Sequence, residues 1–69
     1  MNKFSEKLKE LREEKGLSQS MLAKETGFTQ PAITMWESSK RVPSFDVVIK
    51  FAKYFKVSTD FFAGLEDYD

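Results

Sequence analysis

The sequence contains neither cysteine nor histidine, and these two absences exclude several kinds of site. Without cysteine no disulfide can form, and without either residue the usual zinc and haem ligands are missing. No metal and no cofactor is therefore expected. The same absences remove the commonest catalytic bases and nucleophiles, and no other pairing of nucleophile and base is evident. The chain is not expected to be an enzyme.

Long apolar runs are also lacking. No stretch approaches the roughly 18 apolar residues of a membrane-spanning helix, and no signal peptide is visible. Because an absence of cysteine also suits a reducing compartment, a cytoplasmic protein without a membrane partner is expected. The 69 residues have room for one small domain, whose core must come largely from seven Phe, one Trp and two Tyr.

The sequence has no excess of positive or negative charge, because 11 Lys and Arg balance 11 Asp and Glu. The distribution is uneven, however. Residues 1–58 hold all 11 basic residues and 7 acidic ones, a balance of +4, whereas residues 59–69 hold the other 4 acidic residues and no basic ones. Contact with phosphates depends on local charge, so a nucleic-acid partner is compatible with this sequence. Its affinity is expected to be moderate and to fall strongly with salt.

Helical periodicity marks the beginning of the chain. Phe4, Leu8 and Leu11 recur on one face, while the remaining faces carry Lys and Glu. Asn2 is the expected cap of this first helix and Gly16 its stop. The pattern predicts an amphipathic helix whose charged side faces solvent.

Two further helices are expected near the end. Ser44 is the predicted cap of a fourth helix, and a short fifth helix is predicted from about Thr59 to Ala63, ending at Gly64. The apolar stripe of the fourth helix is predicted to comprise Phe45, Val48, Ile49, Ala52 and Phe55. The fifth helix is too small to bury all of Phe61, Phe62 and Leu65. These side chains either close the core or form a dimer contact.

Residues 17–37 carry the most informative pattern. Twice, an apolar residue precedes a Ser or Thr and lies five positions ahead of another apolar residue, in Leu17-Ser18 before Leu22 and in Phe28-Thr29 before Ile33. This spacing is typical of a capped helix start with a hydrophobic staple. Gly27 lies between the two, where a tight turn requires a positive φ. A second helix from Ser18 to about Lys24 or Glu25, a sharp turn, and a third helix from Thr29 to near Glu37 are predicted.

The outward face predicted for the third helix is almost uncharged. With Ile33 at the centre of the buried face, a rotation of about 100° per residue turns several residues outward: Gln30 at the tip, then Pro31, Ala32, Thr34, Met35 and Ser38. A helix that reads a DNA major groove needs such side chains, because an amide can pair with an adenine edge and methyl groups can contact thymine. The alternative is a face that buries against protein, as in an antitoxin-like interaction module.

Phosphate-binding candidates flank this helix. Gln19 stands at the first position of the second helix, beside unsatisfied backbone N–H groups that can hold a phosphate. Lys40 and Arg41 directly follow the third helix and can bind phosphates. Each is also compatible with an ordinary exposed side chain. Trp36 is assigned to the core rather than to base stacking, and Glu37, on the inward side, requires a cationic partner from the first helix.

These residues together resemble the Cro/C1-type helix-turn-helix family, which includes phage repressors and many small bacterial regulators. The matching residues are Leu17, Ser18, Gln19, Leu22, Ala23, Gly27, Phe28, Thr29, Gln30, Ile33, Trp36, Glu37, Lys40, Arg41, Pro43, Ser44, Val57, Ser58 and Asp60. The resemblance implies an all-α, compact five-helix, lambda-repressor-like DNA-binding domain at residues 1–65. The acidic tail at residues 66–69 is expected to be frayed.

The resemblance also implies roles for individual residues. Four positions of the third helix would face the major groove: Gln30, Pro31, Thr34 and Met35. Four residues would bind or lie near the DNA backbone: Gln19, Lys40, Arg41 and Ser44. Arg12 and Glu37 match a buried ion pair that joins the first helix to the end of the third.

The implied function is regulation of transcription by sequence-specific binding to double-stranded DNA, with repression as the expected outcome. The chain would be bacterial or phage-encoded, and a weak homodimer would bind a palindromic operator. The sequence departs from the family pattern in two ways. Ser39 replaces the usual glycine after the third helix, so a tight or strained turn is expected there. Pro31 and Met35 replace polar residues, so base preference cannot be copied from relatives.

Overall fold

The computed structural model describes residues 3–64 and contains five α-helices in that range. They are α1 (Lys3–Glu14), α2 (Gln19–Thr26), α3 (Gln30–Glu37), α4 (Phe45–Phe55) and α5 (Thr59–Phe62). The predicted all-α, five-helix fold is confirmed, and each helix start or end that the sequence predicted lies within two residues of the observed one. The Asn2 cap, Leu65 and the acidic tail at 66–69 lie outside the described residues. Between residues 3 and 64, no helix is long and apolar enough to cross a membrane.

Hydroxyl side chains start four of the helices. The capping residues are Ser18, Thr29, Ser44 and Ser58. In each case the hydroxyl oxygen accepts a hydrogen bond of 3.1–3.3 Å from the backbone N–H three residues later. Each bond satisfies one of the N–H groups that a helix leaves unpaired at its start. Gly27, at φ 82°, ends α2, as its position predicts. The turn between α2 and α3 is therefore fixed by local chemistry.

Phe51 of α4 lies at the centre of the core. It is fully buried, and its ring centroid is 5.0 Å from that of Phe28, 5.7 Å from that of Trp36 and 6.1 Å from that of Phe4. Trp36 also meets Phe28 edge-on at 5.0 Å, so its assignment to the core is confirmed. Such tilted and edge-to-face contacts add to the stabilisation from apolar burial. The buried apolar residues are Phe4, Leu8, Leu22, Ala23, Ala32, Ile33, Trp36, Phe51, Ala52 and Phe62.

The predicted apolar stripe of α4 is wrong at its first member. Phe45 is 70% exposed, whereas Phe51, which the stripe omitted, is fully buried. Phe45 precedes Phe51 by six positions and therefore lies about 120° away from it around the helix. The real buried face is centred nearer to Phe51, with Ala52 buried and Val48 partly buried. Because α4 is apolar over more than half of its circumference, periodicity alone does not locate the centre of that face.

A polar contact also joins α2 to α4 near the surface. The Tyr54 hydroxyl donates a hydrogen bond to the Glu25 carboxylate. This bond, with smaller contributions from burial and from the Glu25 charge, raises the pKa of Tyr54 to about 12. The donor proton is therefore present at neutral pH. Another residue of α4, Lys50, places its ammonium 4.9 Å from the centroid of the Phe28 ring.

An ion pair between Arg12 and Glu37 joins α1 to the end of α3. Arg12 Nε lies 2.7 Å from Glu37 Oε2, and Arg12 Nη2 donates to Oε1 at 3.1 Å. Arg12 Nη1 donates to the backbone carbonyl of Leu17 at 2.8 Å. The hydrogen bonds that Arg12 donates to Glu37 raise the pKa of Arg12 above its ordinary value, so the guanidinium stays charged. One guanidinium thus connects α1, the loop before α2, and α3.

Replacement of Arg12 by alanine is expected to destabilise the fold by about 3–5 kcal/mol, because it leaves the Glu37 carboxylate buried without a counter-charge. The Glu37 side chain is only 4% exposed. Urea unfolding followed by circular dichroism would measure the change. A melting temperature equal to that of the wild type would show that the pair contributes nothing to stability.

Glu13→Ala is the matched control for that measurement. The Glu13 carboxylate lies 3.9 Å from the same guanidinium, but its side chain is 58% exposed. An exposed pair of this kind contributes little, so the free energy of unfolding is expected to stay within about 0.5 kcal/mol of the wild type.

Candidate nucleic-acid interface

The candidate interface is built on α2, the Gly27 turn and α3. Leu22 and Ala23 on α2 and Ile33 on α3 are buried, so the two short helices pack closely against each other. The Thr29 hydroxyl caps α3 as it leaves the turn. Pro31 fits within the first turn of α3, where a missing N–H removes no helical hydrogen bond. The result is a helix-turn-helix unit whose second helix has one side free of the core.

That free side carries four of the five residues predicted to read bases. Gln30, Pro31, Thr34 and Met35 are all exposed, and Met35 is 44% exposed. Between residues 30 and 37 the only charged residue is Glu37, which is buried. The exposed side of α3 therefore presents amide, hydroxyl, ring and thioether groups and no formal charge.

The prediction that Ala32 faces outward is wrong. Its exposure is 9%, and it lies within the core cluster. The buried residues of α3 are Ala32, Ile33, Trp36 and Glu37, a pattern of i, i+1, i+4 and i+5. The centre of the buried face is thus shifted from Ile33 toward Ala32 and Trp36. Its burial leaves the Ala32 methyl group little surface for contact with a ligand.

Gln19 connects the ion pair to the exposed side of α3. Its Nε2 donates to Glu37 Oε1 at 3.1 Å. Its Oε1 accepts hydrogen bonds from Gln30 Nε2 at 3.1 Å and from Thr34 Oγ1 at 2.7 Å. An ionised carboxylate only accepts hydrogen bonds, so the amide nitrogen of Gln19 must face Glu37 and its oxygen must face α3. The buried charge therefore determines the orientation of the Gln19 amide.

The same contacts limit the freedom of Gln30. Gln30 Nε2 donates to Thr34 Oγ1 at 2.9 Å as well as to Gln19. Its amide nitrogen thus points inward along α3, and its amide oxygen is the group left for a ligand. Side chains held in one geometry before binding lose less entropy when the partner arrives.

The four predicted phosphate-binding residues differ in how exposed and how constrained their side chains are. Lys40 and Arg41 are exposed in the turn after α3, and both of their backbone N–H groups donate to the Met35 carbonyl, at 2.9 and 3.3 Å. The Ser44 hydroxyl caps α4. The amide of Gln19 is directed toward Glu37 and α3. The phosphate predicted at this position would therefore meet the backbone N–H groups that start α2 rather than the Gln19 side chain.

Two residues near the interface carry no signal in the linear sequence. Lys9 lines a cleft of about 340 Å³ with Arg12, Gln19, Thr34, Glu37 and Ser38. The sequence pattern places Lys9 on the solvated side of α1, among similar lysines. Ser5 of α1 is fully buried and donates a hydrogen bond to the Trp36 carbonyl at the end of α3. Both contacts arise from packing between helices distant in sequence, which periodicity does not report.

Similarity to known proteins agrees with this geometry. The helix-turn-helix family HTH_3 matches residues 8–62. The uncharacterised HTH-type transcriptional regulator YqaE of Bacillus subtilis (strain 168) is 38% identical over 58 residues, which are 84% of this chain and 50% of that protein. The HTH-type transcriptional activator BcrR of Enterococcus faecalis is 39% identical over 57 residues, which are 83% of this chain and 28% of that protein.

The chain thus spans half or less of the length of these curated relatives. No solved structure matches it significantly. The family match covers most of the chain, including all of α2 and α3, and both relatives are transcriptional regulators by name. The chain belongs to the Cro/C1-type helix-turn-helix family of DNA-binding transcriptional regulators.

Proposed function

We propose that the protein binds a specific double-stranded DNA sequence by inserting α3 into the major groove. The observation that carries this proposal is the uncharged exposed side of α3, held in place by hydrogen bonds that begin at a buried ion pair. A surface helix without a partner commonly displays Lys and Glu, as α1 does. Polar, uncharged side chains instead suit hydrogen bonding and apolar contact with base edges.

Base reading is assigned to the four exposed residues Gln30, Pro31, Thr34 and Met35. Gln30 and Thr34 supply polar groups, and Pro31 and Met35 supply apolar contact for thymine methyls. Lys40 and Arg41 supply positive charge beside the end of α3 and are assigned to phosphates. The start of α2, including Gln19, is assigned to a further phosphate, because its first N–H groups point out of the helix.

We propose further that a weak homodimer binds a palindromic operator. Val42 directly follows Arg41, and Phe45 lies three positions further along; the two are 81% and 70% exposed. Large apolar side chains with this exposure gain from burial against another protein surface. Their position beside the proposed phosphate-binding residues favours a second copy bound to the next half-site, about one DNA turn away.

Selection from a randomised duplex library is expected to enrich an inverted repeat. If Lys40 and Arg41 of both protomers each neutralise one phosphate, the plot of log K against log salt should have a slope of about −3.6 or steeper. Filter binding or gel shifts over a salt series would measure it. Failure to enrich any duplex, even at low salt, would rule out the proposed function. Enrichment of a single half-site with one protomer bound would rule out the dimer alone.

The exposed methionines favour a second candidate, a protein-interaction module in which α3 buries against a partner. Met21 and Met35 are 50% and 44% exposed, and flexible thioether side chains adapt well to protein surfaces. Apolar burial of this kind depends only weakly on salt. An interaction of α3 with protein that persists at high salt, together with no enriched duplex, would favour this candidate over DNA binding.

Met35→Ala and Lys40→Ala are expected to have different effects on DNA binding. Removing the Met35 thioether should alter base preference at one position of the selected site, because this side chain is assigned to the groove. Removing the Lys40 charge should weaken all sites alike and reduce the salt slope by about 1 for each phosphate that the variant no longer neutralises. Affinities for single-base variants of the site would measure both. If both variants weakened all sites uniformly, the assigned reading face would be wrong.

We propose repression as the direction of regulation. A domain bound within a promoter excludes other proteins from the same DNA sterically, and this effect needs only the proposed DNA binding. A promoter-reporter fusion carrying the selected site is expected to lose expression when the protein is produced and to regain it with Lys40→Ala. BcrR is named an activator. Expression that rises with the wild-type protein would therefore overturn repression while leaving DNA binding intact.

A further inference from the structure

The turn after α3 has an unusual residue at its key position. Lys40 N–H donates to the Met35 carbonyl at 2.9 Å, and Ser39 N–H donates to the Trp36 carbonyl at 3.3 Å. This pair of bonds is the Schellman arrangement, in which the residue after the helix cap takes the left-handed conformation and is usually glycine. Here that residue is Ser39, at φ 65°, as the sequence departure predicts. A side chain in this conformation carries a steric cost that glycine avoids.

The Ser39 side chain makes a contact that glycine could not make. Its Oγ lies 2.8 Å from the Oγ of Ser5 on α1. Ser5 Oγ in turn donates to the Trp36 carbonyl at 2.5 Å. A hydroxyl has a single proton, and that of Ser5 is directed to the carbonyl, so Ser39 must be the donor in the contact between the two hydroxyls. The bonds therefore run from Ser39 to Ser5 and on to Trp36.

This pair of serines holds the turn against α1 from a buried position. Ser5 is fully buried next to the apolar side of α1 that carries Phe4 and Leu8, and a serine is uncommon at a buried position. Its place there is explained by the bond to α3 and the contact with Ser39. The next two residues of the chain are Lys40 and Arg41. Neither of their side chains has an ion-pair or hydrogen-bond partner among residues 3–64.

We propose that Ser5 and Ser39 are positioning residues for phosphate binding, since they hold the turn in the one orientation that presents Lys40 and Arg41 to the DNA backbone. This inference rests on the proposed DNA-binding function. Lys and Arg side chains have many rotamers, so a fixed backbone beneath them limits how much order DNA binding must impose. Residue 5 acts from inside the protein and touches no DNA.

Ser39→Gly separates this role from a purely structural one. Glycine accepts the left-handed conformation without strain, so the thermal stability of the variant is expected to equal or exceed that of the wild type. It lacks the hydroxyl, however, so the turn is no longer tied to α1. The expected result on the selected duplex is a salt slope smaller in magnitude by about 1 for each protomer, with unchanged base preference. Ser5→Ala is expected to give the same reduction in slope.

Ser38→Ala is the matched control in the same turn. Its hydroxyl donates to the Met35 carbonyl, within its own helix, at 3.2 Å, and makes no bond to the described part of α1. Since a serine carries no charge, its removal is expected to leave the salt slope unchanged. If Ser39→Gly and Ser5→Ala kept the wild-type slope while the wild type bound its duplex, the positioning role would be overturned and the proposed function would stand.

Amide hydrogen exchange tests, in the absence of DNA, whether the contact between Ser5 and Ser39 holds the turn against α1. The Lys40 amide is expected to exchange at least about fivefold faster in Ser5→Ala, because local opening of the turn becomes easier. Val57 N–H, which donates to the Ala52 carbonyl at 3.0 Å in a similar turn after Lys56 at φ 59°, should be unaffected. Equal exchange rates of the Lys40 amide in variant and wild type would show that the contact between Ser5 and Ser39 does not hold the turn. Faster exchange in a protein whose wild type enriches no duplex would overturn the phosphate role together with the proposed function.

Discussion

The ion pair between Arg12 and Glu37 is the interaction on which the orientation of α3 depends. Glu37 is buried at the end of an eight-residue helix, where an unpaired carboxylate would be strongly destabilising. Arg12 provides two hydrogen bonds to it and a third to the loop before α2. Because a carboxylate only accepts hydrogen bonds, the pair also fixes the direction of the Gln19 amide. The polarity of the exposed network on α3 thus begins at a charge inside the protein.

The two short helices α2 and α3 depend on contacts with the rest of the domain. Isolated helices below roughly 12–15 residues are marginal in water, so α2 and α3, with eight residues each, are stable only through packing and capping. The apolar contacts around Phe51 hold α3 to the body of the domain along one side. Apolar contacts are not directional, however. The side-chain hydrogen bonds that Arg12 and Ser5 of α1 donate to Glu37 and to the Trp36 carbonyl add the direction.

The parts of the fold that the sequence predicted are those set by local chemistry. Caps such as Ser18 and Thr29 and the turn glycine Gly27 act within a few residues, so helix starts and ends follow from short patterns. Short sequence patterns determine less well which side of a helix faces the core. Ala32 fits either side, and Phe45 satisfies the apolar period without being buried. The contacts of Ser5 and Gln19 join residues 11 to 34 positions apart, and no local pattern reports them.

Met35 couples the face proposed to read bases to the turn proposed to bind phosphates. Its side chain lies on the exposed side of α3, while its carbonyl accepts the backbone N–H groups of both Lys40 and Arg41. A displacement of the turn therefore also displaces the residue that is proposed to face the groove. At the other end of α3, Gln30 is held by two hydrogen bonds. The proposed reading face thus combines a fixed amide at its start with a flexible thioether at its end, and the backbone hydrogen bonds of the turn restrain that flexible end.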